Sequence, residues 1–336
     1  LLIFPHPSRL NVDYDFALSR GLFNPPSTFL SLLLLTGLLT FALFRAKKNP
    51  LFSFSLLWFF VNLAIESSVF PLDMVYEHRL YLPSMGPIML FAGSIAAFEH
   101  PLLKKAGILM GILIALLFSY WTYERNRIWQ DPVTLWEDNV KKSPGKARVH
   151  GNLGKAYLDK GLYEKARLAF ERTIELDPTL LGAYDNLATI YIDHFRDYGR
   201  AREFLYEALN RNPDFPSPYL NLGVINLRLK ELPEAVKHFE KVLALDPHSR
   251  LGHYNLAAAR FNQREYDKAL SILKKGITLW PRSSMLYGLM GLTYYHKGER
   301  AHAGTALTRA LELDPSNRMA GACLDKIRQG GHTTPP

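Results

Sequence analysis

The chain has very little cysteine, since Cys323 is the only one among its 336 residues. A single cysteine excludes a disulfide framework within the chain and a zinc site built from several cysteine ligands. The sequence also lacks a glycine-rich phosphate-binding loop, a histidine cluster with metal-ligand spacing, and a nucleophile with a recognisable partner motif. These absences predict no metal site and no bound cofactor.

Basic residues are not concentrated in one run, although the formal net charge is +9. The 40 lysines and arginines are dispersed among 31 acidic residues. A nucleic-acid-binding domain instead gathers its positive charge on one face or along one helix. We therefore expect no nucleic-acid partner.

Long apolar segments occur only in the first third of the chain. Four of them, about residues 27–44, 51–70, 85–98 and 106–123, are predicted to span a membrane. A helix rises about 1.5 Å per residue, so about 20 residues cross a hydrocarbon core of about 30 Å. The third segment is shorter and is either a tilted or kinked span or a buried helix. The sequence thus predicts a multi-pass integral membrane region of about four helices within residues 27–123, in contact with the lipid bilayer.

The loops between these segments indicate an orientation. "RAKKNP" and "EHPLLKK" are rich in lysine and are placed on the cytoplasmic side by the positive-inside rule. Residues 1–26, the loop that contains "YEHRLYLPSMG" and everything after Tyr123 then lie outside, in the periplasm or an organelle lumen. Five arginines on the predicted outer side count against this orientation: Arg9, Arg20, Arg79, Arg125 and Arg127.

Prolines recur every 34 or 35 residues in the second half of the chain, at positions 144, 178, 213, 247, 281 and 315. Such a period predicts a repeat array. Each unit carries a small residue on its first predicted helix and an alanine on its second, so that the two helices can pack closely, and the proline ends the second helix. Units such as "YLNLGVINLRLKELPEAVKHFEKVLALDP" resemble tetratricopeptide repeats.

The resemblance divides the chain into segments. Residues 147–317 are predicted to form five repeats, residues 124–146 a connector with half a repeat, residues 318–330 a capping helix and residues 331–336 a disordered tail. One extra residue in the second repeat, near "HFRDYG", is expected in the turn between its helices. The predicted fold class is all-α, with multi-pass transmembrane helices followed by an α-solenoid.

Four of the five repeats carry an asparagine just before the core leucine. They are Asn152, Asn186, Asn221 and Asn255, and the fifth repeat has Leu289 in this place. Each amide offers one acceptor and two donors, which could pair with successive peptide groups of an extended polypeptide or protein partner. Alternatively, asparagine at this position only holds a neighbouring turn.

The outer loop "YEHRLYLPSMG" is unusually polar for a connection between apolar segments. Arg79 suits a phosphate group, His78 titrates near neutral pH, and Tyr81 suits a membrane interface. Glu77 belongs to the same cluster. Alternatively, Arg79 pairs with Glu66 and merely fastens two helices together.

"EHRLYLPSMG" in an outer loop, followed by more helices and then by tetratricopeptide repeats, resembles the C-terminal part of multi-spanning membrane glycosyltransferases. The family is the transmembrane and tetratricopeptide-repeat protein O-mannosyltransferases and their bacterial relatives, which have the C-type fold. The resemblance implies a polyprenyl-phosphate sugar as donor, with Glu77, His78, Arg79 and Tyr81 at its phosphate, and an acceptor polypeptide bound by the solenoid.

The same resemblance implies that the family's catalytic acid lies in a first outer loop upstream of this sequence. The chain begins at Leu1 without methionine and is expected to be the C-terminal part of a longer protein, inactive by itself. Asp13 and Asp15 in "NVDYDF" are the remaining candidates for catalysis or metal binding.

Two other functions fit the same architecture. A membrane-anchored repeat scaffold could assemble an envelope or secretion complex without any chemistry. A polymerase or ligase of surface polysaccharide also combines arginine-rich outer loops with many spans, and its acceptor would be a glycan.

Overall fold

The computed structural model describes residues 23, 26–68 and 81–329, and all regular structure in this part of the chain is helical. The predicted all-α fold class is therefore confirmed. The apolar helices are α1 (Pro26–Arg45), α2 (Pro50–Ser68), α3 (Tyr81–Ala96) and α4 (Pro101–Trp129), followed by α5 (Pro132–Lys142).

Five helical hairpins and a final helix follow α5. The hairpins are α6 (Ala147–Asp159) with α7 (Tyr163–Leu176), α8 (Leu181–Ile190) with α9 (Tyr198–Arg211), α10 (Pro216–Arg228) with α11 (Leu232–Leu245), α12 (Arg250–Asn262) with α13 (Tyr266–Leu279), and α14 (Ser284–Lys297) with α15 (Arg300–Leu313). The final helix is α16 (Arg318–Gln329). The chain divides into an N-terminal unit that ends with α7 and a C-terminal unit that contains α8 to α16.

Two helices of the described residues are long and apolar enough to cross a membrane. They are Thr28–Arg45 within α1 and the whole of α4, whereas the apolar stretches Pro50–Asn62 and Ser84–Ala96 are shorter. Two spans thus satisfy length and composition, and the predicted four-span, multi-pass arrangement stays a prediction.

Helices α1 to α3 meet through small and polar residues. Ser53 is buried and its hydroxyl donates a hydrogen bond to the carbonyl oxygen of Ala42, at 2.7 Å. Gly86 of α3 lies directly against the backbone of Ser55, so that no side chain would fit between the two helices. Large apolar side chains point outward instead, and Phe44 is 82 % exposed. In a water-soluble protein, large apolar side chains are instead buried and polar side chains face outward.

An ion pair fastens α5 to the end of α4. The buried guanidinium of Arg125 lies 3.0 Å from the carboxylate of Asp138 and also faces the ring of Trp129. Lys142 approaches the same carboxylate at 2.6 Å. A buried pair that loses one partner leaves an uncompensated charge, so this contact fixes the position of α5 on α4.

Each hairpin closes at one small residue of its first helix, which faces a bulkier residue of the second helix. In the third repeat Gly223 lies directly against the ring of Phe239, and in the first repeat a Cβ atom on Gly154 would come within 2.8 Å of Phe170. The second and fourth repeats instead combine alanine with leucine: Ala188 with Leu205, and Ala257 with Leu273. In the fifth repeat Gly291 faces Leu307, and a Cβ atom on Gly291 would come within 2.5 Å of that leucine. Each hairpin thus closes at a glycine or an alanine, and both phenylalanine partners face a glycine.

The extra residue of the second repeat was expected in the turn between its two helices, and this expectation is wrong. The residue is contained in a π-helical segment, Tyr191–Phe195, that ends the first helix. This helix ends at Arg196, whose backbone is in the left-handed conformation and which lies eight residues after Ala188. In the third repeat the corresponding left-handed residue, Lys230, lies seven residues after Gly223. From the left-handed residue onward the spacing is the same in both repeats. A π-helical turn absorbs one added residue without lengthening the connection.

Helix α16 packs on the last hairpin. Ala320, Cys323 and Leu324 are buried against Leu307 and Ala310 of α15. The end of the array therefore has a polar outer helix in place of an exposed apolar face.

We predict that Gly223→Ala and Phe239→Leu compensate each other. The alanine methyl group overlaps the Phe239 ring, so Gly223→Ala should lower the free energy of unfolding by about 1–3 kcal/mol. The double variant reproduces the alanine and leucine of the second and fourth repeats, and it should recover most of that loss. Urea unfolding of the four proteins, followed by circular dichroism, measures the coupling. Strictly additive losses would contradict the packing argument.

Candidate peptide-binding surface

The first helices of the C-terminal unit form a continuous surface. α8 contacts α10, α10 contacts α12, and α12 contacts α14, in addition to the contacts within each hairpin. Side chains at the same position of successive repeats therefore form rows across the unit. We call this surface the first-helix surface.

The predicted asparagine row lies at the edge of the core. Asn186, Asn221 and Asn255 are half-buried, and each precedes a buried leucine of its helix. Asn221 donates a hydrogen bond to Asp185 of the preceding repeat, at 2.7 Å. The side-chain amides of Asn186 and Asn255 form no hydrogen bond with another described residue. The three amides are thus not equivalent, because one is already engaged and two are available to a ligand.

Asp185 organises the junction between α8 and α10. One carboxylate oxygen accepts from the amide of Asn221, and the other accepts from the hydroxyl of Ser217 at 2.7 Å. Burial raises the pKa of Asp185, and these two hydrogen bonds reduce that rise without cancelling it. The cost of removing the carboxylate from water exceeds what two neutral donors return.

Arg228 makes a second polar contact between the same repeats. Its guanidinium donates to the carbonyl oxygen of Ile192 at 2.9 Å and to the carboxylate of Asp193 at 2.5 Å. Both partners belong to the π-helical segment. The end of α10 therefore holds the widened end of the preceding first helix in place.

The first-helix surface changes from polar to apolar along the unit. In the position of Asp185 the next two repeats carry Leu220 and Tyr254. One and two turns further along the helices are half-buried apolar side chains: Val224 and Leu227 on α10, Ala258 and Phe261 on α12, and Leu292 and Tyr295 on α14. A ligand on this surface would meet polar groups on α8 and apolar groups on α12 and α14.

The remaining predicted site residues are distributed differently. Asn152 is half-buried on α6 in the N-terminal unit. Asp13, Asp15, Glu77, His78 and Arg79 lie outside the described residues. Tyr81 begins α3, and the predicted Glu66 to Arg79 pair has one partner outside the described part of the chain. Within residues 26–68 and 81–329 no group of three or more His, Cys, Asp or Glu side chains could hold a metal ion.

Sequence reasoning missed Asp185 and Ser217. The asparagine row was recognised from its repetition, whereas Asp185 occurs in that place only once. The sequence feature that distinguishes Asp185 is an acidic residue directly before Asn186, where two other repeats carry the apolar or aromatic Leu220 and Tyr254.

Four family profiles, each described as tetratricopeptide repeat, match residues 147–180, 194–250, 227–278 and 286–317. The C-terminal half is an array of tetratricopeptide repeats. Repeats of this kind mediate protein–protein interactions, and the first-helix surface is where these repeats present side chains from successive units.

The chain is also distantly similar to curated O-mannosyl-transferases. It is 26% identical over 251 residues to "Protein O-mannosyl-transferase TMTC3" of Mus musculus. The aligned region covers 74% of this chain and 25% of the mouse protein. It is 32% identical over 124 residues to "Protein O-mannosyl-transferase TMTC1" of Homo sapiens, covering 36% of this chain and 14% of the human protein. The matched regions thus span a quarter or less of these relatives.

A solved structure supports the repeat fold. This protein is 17% identical to a chain in "Crystal structure of APC/C hetero-tetramer Cut9-Hcn1", with a TM-score of 0.52. The superposed region covers 87% of this protein and 52% of that chain. At this identity the likeness concerns the fold alone.

We predict that Asp185→Asn stabilises the protein at pH 7. Because burial raises the pKa of Asp185, folding favours its protonated form, and this stability is lost as the pH rises above the ordinary carboxyl range. Asparagine can still accept from Asn221 and can donate to Ser217, but it carries no charge. The variant should therefore melt at a higher temperature at pH 7, and the difference should shrink towards pH 4.

The matched control is Asp214→Asn, because Asp214 is an exposed carboxylate on the connection before α10. At pH 7 it should change the melting temperature less than Asp185→Asn does. An Asp185→Asn protein that is less stable at pH 7 would show that the charged form is needed at this junction.

Proposed function

We propose that this chain is the C-terminal part of a membrane glycosyltransferase that uses a polyprenyl-phosphate sugar, and that its repeats bind the acceptor polypeptide. The observation that carries the proposal is the extent of the similarity to the mouse O-mannosyl-transferase. The 251 aligned residues exceed what the chain holds from Ala147 to its end at Pro336. The aligned region therefore includes residues that precede the five repeats.

The packing of α1 to α3 supports a membrane location. Their contacts use Ala42, Ser53, Ser55 and Gly86, while leucine and phenylalanine side chains face outward. In water this arrangement would leave a large apolar surface exposed, whereas in a bilayer the lipid tails cover it. Small residues and hydrogen-bonding side chains at helix contacts are typical of membrane helices.

The first-helix surface supports an extended polypeptide as ligand. The open amides of Asn186 and Asn255 can pair with peptide groups, which every polypeptide offers regardless of its sequence. The apolar side chains on α12 and α14 can then take up apolar side chains of the same segment. A transferase whose acceptors differ in sequence needs this kind of backbone recognition.

The polar loop would contact the donor in this proposal. Arg79 and His78 would lie at the phosphate and stabilise the negative charge that develops as the sugar leaves, with Glu77 and Tyr81 beside them. Asp13 and Asp15 stay candidates for the acidic groups. The reaction would take place on the outer side of the membrane, where the repeats are also proposed to lie.

A second candidate is a membrane-anchored scaffold without catalytic activity. It is favoured by the one function that the repeats show directly, which is protein–protein interaction. The two candidates differ in what they require of Arg79, because only a transferase needs a cation at a donor phosphate. They share the peptide-binding surface and the membrane location.

We predict that Asn186→Ala together with Asn255→Ala weakens binding of an unfolded polypeptide. Each lost hydrogen bond removes about 1 kcal/mol, so the double variant should bind about tenfold to thirtyfold more weakly. Fluorescence anisotropy with a labelled, reduced and carboxymethylated protein fragment measures the affinity.

The control for this experiment is Asn262→Ala, an exposed asparagine at the end of α12. It should bind as the unsubstituted chain does. If the double variant also keeps its affinity, the asparagine row does not bind the peptide backbone.

We predict that the repeats and the turn between α1 and α2 lie on opposite sides of the membrane. Cys323 is buried, and burial raises the pKa of its thiol, so the native cysteine should react slowly. Lys275→Cys on the exposed side of α13 should react with a membrane-impermeant maleimide added to the outer face. Lys48→Cys should react only after permeabilisation, and labelling of both from one face would contradict the proposed topology.

A further inference from the structure

A cleft lies at one end of the apolar helices. It is open to the surface and is lined by the end of α1, the start of α2 and the last two turns of α3, and its volume is about 530 Å³. Clefts that bind small molecules typically have volumes of about 300–1,000 Å³. The cleft is therefore large enough for a head group and the beginning of an acyl chain.

The walls of the cleft are largely apolar. Phe41 and Phe52 meet edge to face with ring centroids 5.7 Å apart, and Leu51 and Leu90 complete this side. These residues continue into the outward apolar surface of α1 to α3. A ligand in the cleft can thus extend from it along the helices without leaving an apolar environment.

Arg45 is the cation of the cleft. It lies in the last turn of α1, is half-buried, and its guanidinium faces the ring of Phe41 at 5.4 Å. No described carboxylate forms an ion pair with it. The neighbouring polar groups, Asn49 and Ser94, are neutral. Arginine offers a planar set of donors that matches a phosphate group. The cleft therefore contains a positive charge without a counter-ion among the described residues and favours an anionic ligand.

The surroundings of the cleft are also positive. Lys47 and Lys48 lie in the turn that follows Arg45, and α4 begins beside the end of α3, where Gly107 packs on Ile95. Lys104 and Lys105 therefore lie at the same end of the helices. Within residues 45–50 and 96–105, which form this end of the helices, Glu99 is the only acidic residue.

We propose that the cleft binds an anionic glycerophospholipid, with its phosphate on Arg45 and one acyl chain along Phe41, Phe52 and Leu90. The inference rests on the proposed membrane location of α1 to α4. The inner leaflet is the richer in anionic lipids, and the positive-inside rule places this end of the helices there. A free anion would satisfy Arg45 but would leave the apolar walls without a partner.

The cleft is separate from the proposed donor site. The end of α2 and the start of α3 are the opposite ends of these two helices. Helix α2 has 19 residues, so the two ends lie roughly 28 Å apart. A lipid in the cleft would therefore anchor the helices at the inner surface, away from the sugar chemistry.

Native mass spectrometry of the whole chain in detergent tests the proposal. The protein is incubated with equal amounts of phosphatidylglycerol and phosphatidylcholine that carry the same acyl chains. We expect one phosphatidylglycerol to be retained in preference to phosphatidylcholine. Arg45→Gln should lower the phosphatidylglycerol retention about fivefold, since one interfacial cation contributes about 1 kcal/mol.

Two further variants separate the cleft from the general positive surface. Ser94→Leu fills the cleft from α3 and leaves every charge in place, so it should also lower retention. Lys104→Gln removes a charge outside the cleft and should retain the lipid nearly as the unsubstituted chain does. Circular dichroism and gel filtration of each variant show whether it is folded.

Three results would overturn the proposal: equal retention of the two lipids, an equal loss in Arg45→Gln and Lys104→Gln, or full displacement of the lipid by millimolar glycerol phosphate. Alkaline extraction of membranes that contain the chain tests the proposed membrane location separately. A chain that is extracted would overturn both proposals. A chain that stays in the membrane without lipid preference would overturn only the lipid site.

Discussion

The close approach of two helices at a small residue is the contact on which each repeat depends. Gly223 lets the ring of Phe239 lie directly on α10, and a methyl group added there would have no space. Ala188 and Ala257 face the shorter Leu205 and Leu273, whereas Gly291 faces Leu307 in the fifth repeat. One small residue on each first helix thus lets the second helix of the hairpin approach closely. In the C-terminal unit successive first helices also contact one another and so form one surface.

The apolar helices α1 to α3 also meet at small residues. Gly86 permits α3 to reach the backbone of Ser55, and Ser53 bonds to the backbone of α1. In the repeats, large apolar side chains fill the space around the small residue, because water excludes them from the surface. In α1 to α4 many of those side chains face outward. The proposed membrane location accounts for this, since lipid tails are as apolar as leucine and do not drive such side chains inside. Helix packing through small residues therefore persists, and only the location of the large side chains is reversed.

Much of the fold could be predicted from the sequence, because it depends on periodic features. The proline period and the small residues at Gly154, Ala188, Gly223, Ala257 and Gly291 repeat with the structure and indicate its hairpins. The extra residue of the second repeat could not be placed, since a longer turn and a π-helical turn have the same length in sequence. Cross-repeat contacts such as Asp185 with Ser217 and Asn221 were also missed, because they join residues more than 30 positions apart and occur once. The predicted donor residues Glu77, His78 and Arg79 lie outside the described part of the chain and stay predictions.

The joint between α4 and α5 links the two kinds of helix packing. Only Gln130 and Asp131 separate the end of α4 from the start of α5, and the side chain of Asp131 caps α5 by accepting from the backbone of Thr134. The Arg125 to Asp138 pair then fixes the direction of α5, and Tyr157 of α6 donates a hydrogen bond to Glu137 at 2.7 Å. Burial is the main cause that raises the pKa of Tyr157 to about 12, so this donor keeps its proton throughout the neutral range. The first repeat is thus attached to the apolar helices by buried polar contacts, with a two-residue connection in place of a long linker. If α4 spans a bilayer, α5 and α6 are therefore held at its surface, and a polypeptide bound by the first repeat would be held next to the membrane.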